Sequence, residues 1–165
     1  MKGKRLMLSD EIAGTWQLVS YTAQSDRGGP VIYPLGADAV GLIMYTLDGY
    51  MSAQLMRPNR SAHVHPCTAG TNEAATAADY LAYAGPYRVD EATGVVYHDV
   101  AVSLLPNWVN TTQLRNVTLD NDRLTLVADV PAGRATIRAT LVWARPAVGR
   151  EANSAQGRHD DGSGG

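Results

Sequence analysis

Cysteine is almost missing from this chain: Cys67 is the single thiol in 165 residues. That excludes an internal disulfide framework and a zinc ribbon, each of which needs several thiols, so the fold must stand on packing. Phenylalanine is absent altogether, and eight Tyr and three Trp supply all the aromatic surface. A buried Tyr needs a partner for its hydroxyl or an opening beside it, which tilts the reading toward a polar-lined pocket. No charge of either sign dominates. Fourteen Lys and Arg stand against 16 Asp and Glu, the formal net charge is -2, and the basic residues are scattered. This pattern lacks the electrostatic footprint of a nucleic-acid binder. No apolar run approaches the roughly 18 residues of a membrane helix. At the start only Leu6, Met7 and Leu8 are consecutively apolar, too few for a signal peptide. The expectation is a cytoplasmic, single-domain protein with no membrane or nucleic-acid partner. Composition leaves the oligomeric state open, and a homodimer is compatible with it.

Residues 146–165 contain one Val and no Leu, Ile, Met or aromatic residue. Such a stretch cannot offset the entropy of ordering and reads as a disordered tail. Residues 1–9 read as a flexible leader, which leaves 10–145 as the folded domain. Within it, short β-branched or alternating runs are separated by turn signals, the pattern of an antiparallel sheet. The run from Gly14 to Ala23 alternates Trp16, Leu18, Ser20 and Thr22 against Gln17, Val19 and Tyr21. Val40 to Thr46 meets Tyr50 to Arg57 across Asp48-Gly49, where Gly supplies the positive φ of a tight hairpin turn. Further strands are expected over Tyr87 to Asp90, Gly94 to Leu104, Thr111 to Leu119, Arg123 to Asp129 and Arg134 to Arg145. One helix is expected from Thr71 to Ala84, because Ala77, Tyr80, Leu81 and Ala84 share a helical face and Gly85-Pro86 would stop it. About eight strands with hairpin-length connections suit an all-β, up-and-down antiparallel barrel, whose interior can hold one small ligand.

Several segments carry a resemblance: Gly14-Thr15-Trp16, Gly41 to Tyr45 followed by Asp48 to Pro58, Leu81 to Tyr87 with Val89-Asp90, Leu105 to Trp108, and Leu141 to Arg145. On these the chain resembles the bacterial lipocalin-like domain proteins, a calycin-type barrel family. The resemblance implies that Trp16 closes one barrel end and that Arg145, just past the last strand, packs on it through a cation–π contact. It implies a fold and a cavity more than a reaction, so function must be argued from the site.

His98 lies on a strand where a period of two places it beside Val96, Val100 and Val102. It is either a satisfied core residue or a donor on a cavity wall. Tyr97 and Asp99 then face the other way, which rules out a triad of neighbours. His63 and His65 with Cys67 could form a soft metal site, but no carboxylate stands close by in sequence, so no metal is expected. No nucleophile elbow, phosphate loop, dinucleotide fingerprint or zinc-protease motif occurs, and no cofactor is expected.

The remaining polar and aromatic candidates are Tyr45, Gln54, Arg57, Tyr83, Tyr87, Asn107, Trp108 and Arg115. Tyr83 and Tyr87 flank the rigid Gly85-Pro86 corner, and Asn107-Trp108 could form a rim. An Arg facing inward would need an anionic or carbonyl group on the ligand, because an unpaired buried guanidinium is costly. The leading expectation is a small-molecule-binding barrel acting as a cofactor-independent cyclase or isomerase on a polyketide-type natural-product intermediate. His98 and Tyr83 would be its catalytic groups and the other residues its ligand contacts. The alternative is a non-catalytic carrier for a small hydrophobic or amphipathic molecule.

Overall fold

The computed structural model describes residues 6–60 and 78–147. The short helix α1 (Leu8–Ile12) precedes β1 (Gly14–Ser25), β2 (Val40–Tyr45), β3 (Tyr50–Met56), β4 (Tyr80–Asp90), β5 (Val95–Asp99), β6 (Val102–Ser103), β7 (Thr112–Asp120), β8 (Arg123–Ala132) and β9 (Ala135–Ala144). All strand pairs are antiparallel, in the order β3-β2-β1-β9-β8-β7-β5-β4, and β4 returns to β3. Eight strands therefore close into a barrel, which removes sheet edges. The two-residue β6 pairs with β4 as an extra. No described helix is long and apolar enough to cross a membrane.

Alternation places Met51, Ala53 and Leu55 inside and the Gln54 side chain outside. The expected hairpin is present, with Gly49 at φ 91°. Two departures from a period of two set the interior. In β1 the register slips between Leu18 and Ser20. The bulge reverses the phase: Trp16 and Leu18 are buried, then Tyr21 and Ala23 face inward in place of the expected Ser20 and Thr22. The run after Gly94 also breaks. Val96, His98 and Val100 are buried, but Val102, expected beside them, is 62% exposed. There the chain folds tightly over β4. A Cβ at Gly85 would collide with the Asp99 carbonyl oxygen and the Ala101 nitrogen.

The helix expected from Thr71 to Ala84 is corrected in its second half. Ala78 and Asp79 are helical, but Tyr80 to Ala84 belong to β4; residues 71–77 lie outside the described residues. The ladder from Met56 opposite Tyr80 to Tyr50 opposite Pro86 closes the barrel. This gain outweighs a local helical period that Leu81 and Tyr83 satisfy equally well as alternate inward residues of a strand.

At the start, Leu8 and Ser9 fall within the segment read as a leader. They begin α1, and their N–H groups donate to the Glu91 carboxylate at 2.7 and 3.0 Å. Ile12 packs under the barrel and accepts a hydrogen bond from Trp16 Nε1 at 2.8 Å. The Arg145 guanidinium lies 3.7 Å from the Trp16 ring centre and donates to Glu11 O at 2.8 Å. One barrel end is thus sealed by residues from both ends of the domain. The proposed tail begins at residue 146, and residues 148–165 lie outside the described residues.

Candidate functional site

A cavity of about 90 Å³ remains inside the barrel, walled mainly by aliphatic and aromatic side chains. Its polar lining comes from Tyr21 on β1, Tyr83 on β4, Gln113 and Arg115 on β7, and Trp143 on β9, with Trp108 from the β6–β7 loop. Trp108 follows a 3-10 turn at Pro106–Trp108 and packs edge-on against Tyr83, with ring centres 5.3 Å apart.

Arg115 dominates the electrostatics. It is only 8% exposed, and among the described residues its guanidinium makes one hydrogen bond, Nη1 donating to Leu114 O at 2.8 Å. Among the described residues the ion pairs are Arg57–Asp79, Arg88–Asp99 and Arg138–Asp129. None of them neutralises Arg115. Trp143 Nε1 is also buried without a partner among the described residues. Trp143 Nε1 is thus an orphaned buried donor, a condition that buried polar groups rarely tolerate.

Below this wall His98 is fully buried between two tyrosines. Tyr45 Oη lies 2.9 Å from Nε2 and Tyr83 Oη 3.0 Å from Nδ1. Burial, reinforced by the positive charge of Arg115, pushes the imidazole down to about 3, with exposed Asp99 opposing weakly. The ring is neutral at ordinary pH. Burial also raises Tyr45 well above the usual phenol range, so its hydroxyl keeps its proton.

The other sequence candidates separate clearly. Tyr45 is core and is linked to the cavity wall only through His98 and then Tyr83. Tyr87 stacks edge-on against Tyr45, with ring centres 4.9 Å apart, and donates to Thr46 O at 3.0 Å. Gln54 lies outside and accepts from Tyr80 Oη at 2.6 Å. Arg57 is also outside, paired with Asp79 at 2.8 Å. Asn107 is exposed. The structure therefore gathers Tyr83, Trp108 and Arg115 around the cavity, with His98 and Tyr45 behind them, and leaves Gln54, Arg57 and Asn107 away from it. Asp99 faces out, where Arg88 and Thr112 donate to it at 3.2 and 2.7 Å.

Tyr21, Gln113 and Trp143 were not anticipated. Gln113 could have been found by alternation from Arg115, and Trp143 by alternation from Leu141. Tyr21 had no such signal, because the bulge hides it. His63, His65 and Cys67, weighed above for a metal, lie outside the described residues. Among the described residues no three His, Cys, Asp or Glu side chains converge.

Comparison with known proteins agrees with this architecture. The chain is 38% identical over 104 residues to the 4'-hydroxy-3'-methoxypropiophenone carrier protein ppsC of Aspergillus oryzae, a match spanning 56% of this chain and 94% of that relative. Residues 13–146, from the residue before β1 to just past β9, match the lipocalin-like domain. With a closed eight-stranded barrel and this match over most of its length, the chain belongs to the lipocalin-like domain family.

Proposed function

We propose that the barrel binds a small aryl carbonyl compound in its lumen and acts as a binding or carrier protein. The observation that carries this reading is the lumen itself: the interior is left unfilled beside Arg115, where a small barrel normally fills its centre with side chains. An apolar wall with a few polar groups is the usual make-up of a small-molecule site. The relative named for carrying a hydroxy-methoxy aryl ketone supports the same ligand class. Size narrows it further. About 90 Å³ is less than the roughly 150 Å³ of an engineered cavity that accepts benzene, so a one-ring ligand enters as Trp108 swings aside.

A catalytic reading, cyclisation or isomerisation without a cofactor, draws on Tyr83 and Arg115 lining the same lumen. Two such donors could polarise a carbonyl, and orientation would supply the rest. Titrating the protein with aryl ketones and following Trp fluorescence, with chromatography of the recovered compounds, tests the proposal. Saturable binding with the compounds returned unchanged is expected. Conversion to a product would establish the enzyme, and an absence of binding across the panel would refute the lumen as a ligand site.

A further inference from the structure

The hydrogens of the Tyr45–His98–Tyr83 chain can be placed by elimination. Among the described residues the Tyr45 hydroxyl has His98 Nε2 as its single partner. If Nε2 carried the imidazole proton, the Tyr45 O–H would be buried with nothing to accept it, at a cost of roughly 1–3 kcal/mol. The lower-energy arrangement has Tyr45 donating to bare Nε2. Nδ1–H then donates to the Tyr83 oxygen, and the Tyr83 hydrogen is left for a group in the lumen.

Arg115 keeps guanidinium N–H groups that no acceptor among the described residues uses, and Tyr83 lines the same lumen with a hydroxyl hydrogen that His98 does not take. Gln113, whose Nε2 donates to Thr111 Oγ1, and Tyr21 line it as well. The Arg115 and Tyr83 donors match an oxygen that accepts. Arg115 adds a positive charge that the protein does not neutralise among the described residues. A neutral ketone satisfies the donors but leaves that charge uncompensated; an oxyanion satisfies both.

We propose that the lumen is an oxyanion site that binds its aryl ligand as the conjugate base against Arg115, with His98 as the positioning residue that turns the Tyr83 hydrogen toward it. The proposal rests on the reading of the lumen as a ligand site and specifies the form in which the ligand is held. The ligand class is an acidic aryl carbonyl compound, such as a phenol para to an acyl group. Its negative charge spreads onto the carbonyl oxygen, which makes ionisation accessible near neutral pH. The anion would enter with its charged end toward Arg115 and its ring along the aliphatic wall.

The groups facing Arg115 do not obscure a test by pH. His98 is neutral throughout the working range, and Tyr21 and Tyr45 are raised by burial. Asp99, on the far side of β5, is already ionised. Affinity changes between pH 6 and 9 therefore report the ligand. The probes are 4'-hydroxypropiophenone, which ionises, and 4'-methoxypropiophenone, which cannot, titrated calorimetrically into the full chain. Affinity for the phenol should rise tenfold or more as pH passes the phenol's own pKa, while that for the methyl ether stays flat. The Arg115→Gln variant should lose the rise, and His98→Gln should reduce affinity for both probes while keeping it. A flat or falling affinity for the phenol in the wild-type protein overturns the oxyanion site and leaves the aryl-ligand reading standing, and that series needs no variant. Failure of both probes to bind overturns both.

Discussion

The Tyr83 hydroxyl lies 3.0 Å from His98 Nδ1, and this contact ties a residue on the cavity wall to a fully buried imidazole. The histidine is held neutral because burial and Arg115 both disfavour its cation. In the unfolded chain the same ring takes up a proton near 6.5, whereas in the folded chain it does so only near 3. Between those values the unfolded state binds more protons, so stability falls as pH falls. Denaturant melts should show a loss of up to about 1.4 kcal/mol per pH unit between pH 6 and 5. The depressed carboxylates Asp90, Glu91, Asp99 and Asp129 add their own losses only at lower pH, around and below the ordinary carboxylate values of 3.8 to 4.5. His98→Gln should remove the slope in the upper window; an unchanged slope would show that another group causes it.

At the sealed end, Trp16→Ala should destabilise by about 3–5 kcal/mol as a large core truncation, and Arg145→Ala by less. Because the two side chains stack at 3.7 Å, the double variant should cost less than the sum of the single ones. Gly14→Ala tests the same contact from a third side. Gly14 has φ 106°, and a Cβ there would meet Arg145 Nη1 at 2.8 Å. Additive values in a thermal or chemical melt would dissociate Arg145 from Trp16.

Gly85 owes its identity to close approach and not to backbone freedom, since a Cβ would strike the Asp99 carbonyl and the Ala101 nitrogen. Gly85→Ala should cost at least about 2 kcal/mol, within the range seen when a packed interior is overfilled. The backbone shift should also disturb Tyr83 two residues away, visible as changed near-UV circular dichroism. A wild-type melting curve would mean that the Asp99 turn yields freely.

Trp108 restricts the lumen by packing against Tyr83. Trp108→Ala should enlarge the cavity, admit two-ring aryl ketones that the wild-type chain excludes, and speed dissociation of one-ring ligands. Unaltered size selectivity in competition binding would place the entrance elsewhere.

The barrel was legible in the sequence because hairpin turns such as Asp48-Gly49 and runs such as Met51-Ala53-Leu55 obey local rules that the tertiary structure does not override. Trp16 and Arg145 were legible through the family resemblance. The failures have specific causes. Tyr80 to Ala84 fit two periods, and only the ladder with β3 decides between them. The β1 bulge turns Tyr21 inward, and the turn over Gly85 turns Val102 outward, so in both strands a count by two goes out of phase. Arg115 appeared among the candidates by type, but its lack of a neutralising partner is a property of the whole barrel. Gln54 and Arg57 were legible only as polar residues of a family-like hairpin; their partners Tyr80 and Asp79 come from β4 and the helical residue before it, across a long connection.

The most direct measurement is a crystal structure of the chain soaked with 4'-hydroxypropiophenone. The account predicts difference density inside the barrel, with the phenol or ketone oxygen at Arg115 and Tyr83 Oη and with Trp108 displaced. An empty lumen, or density confined to the outer groove at Leu42 and Met56, would contradict it.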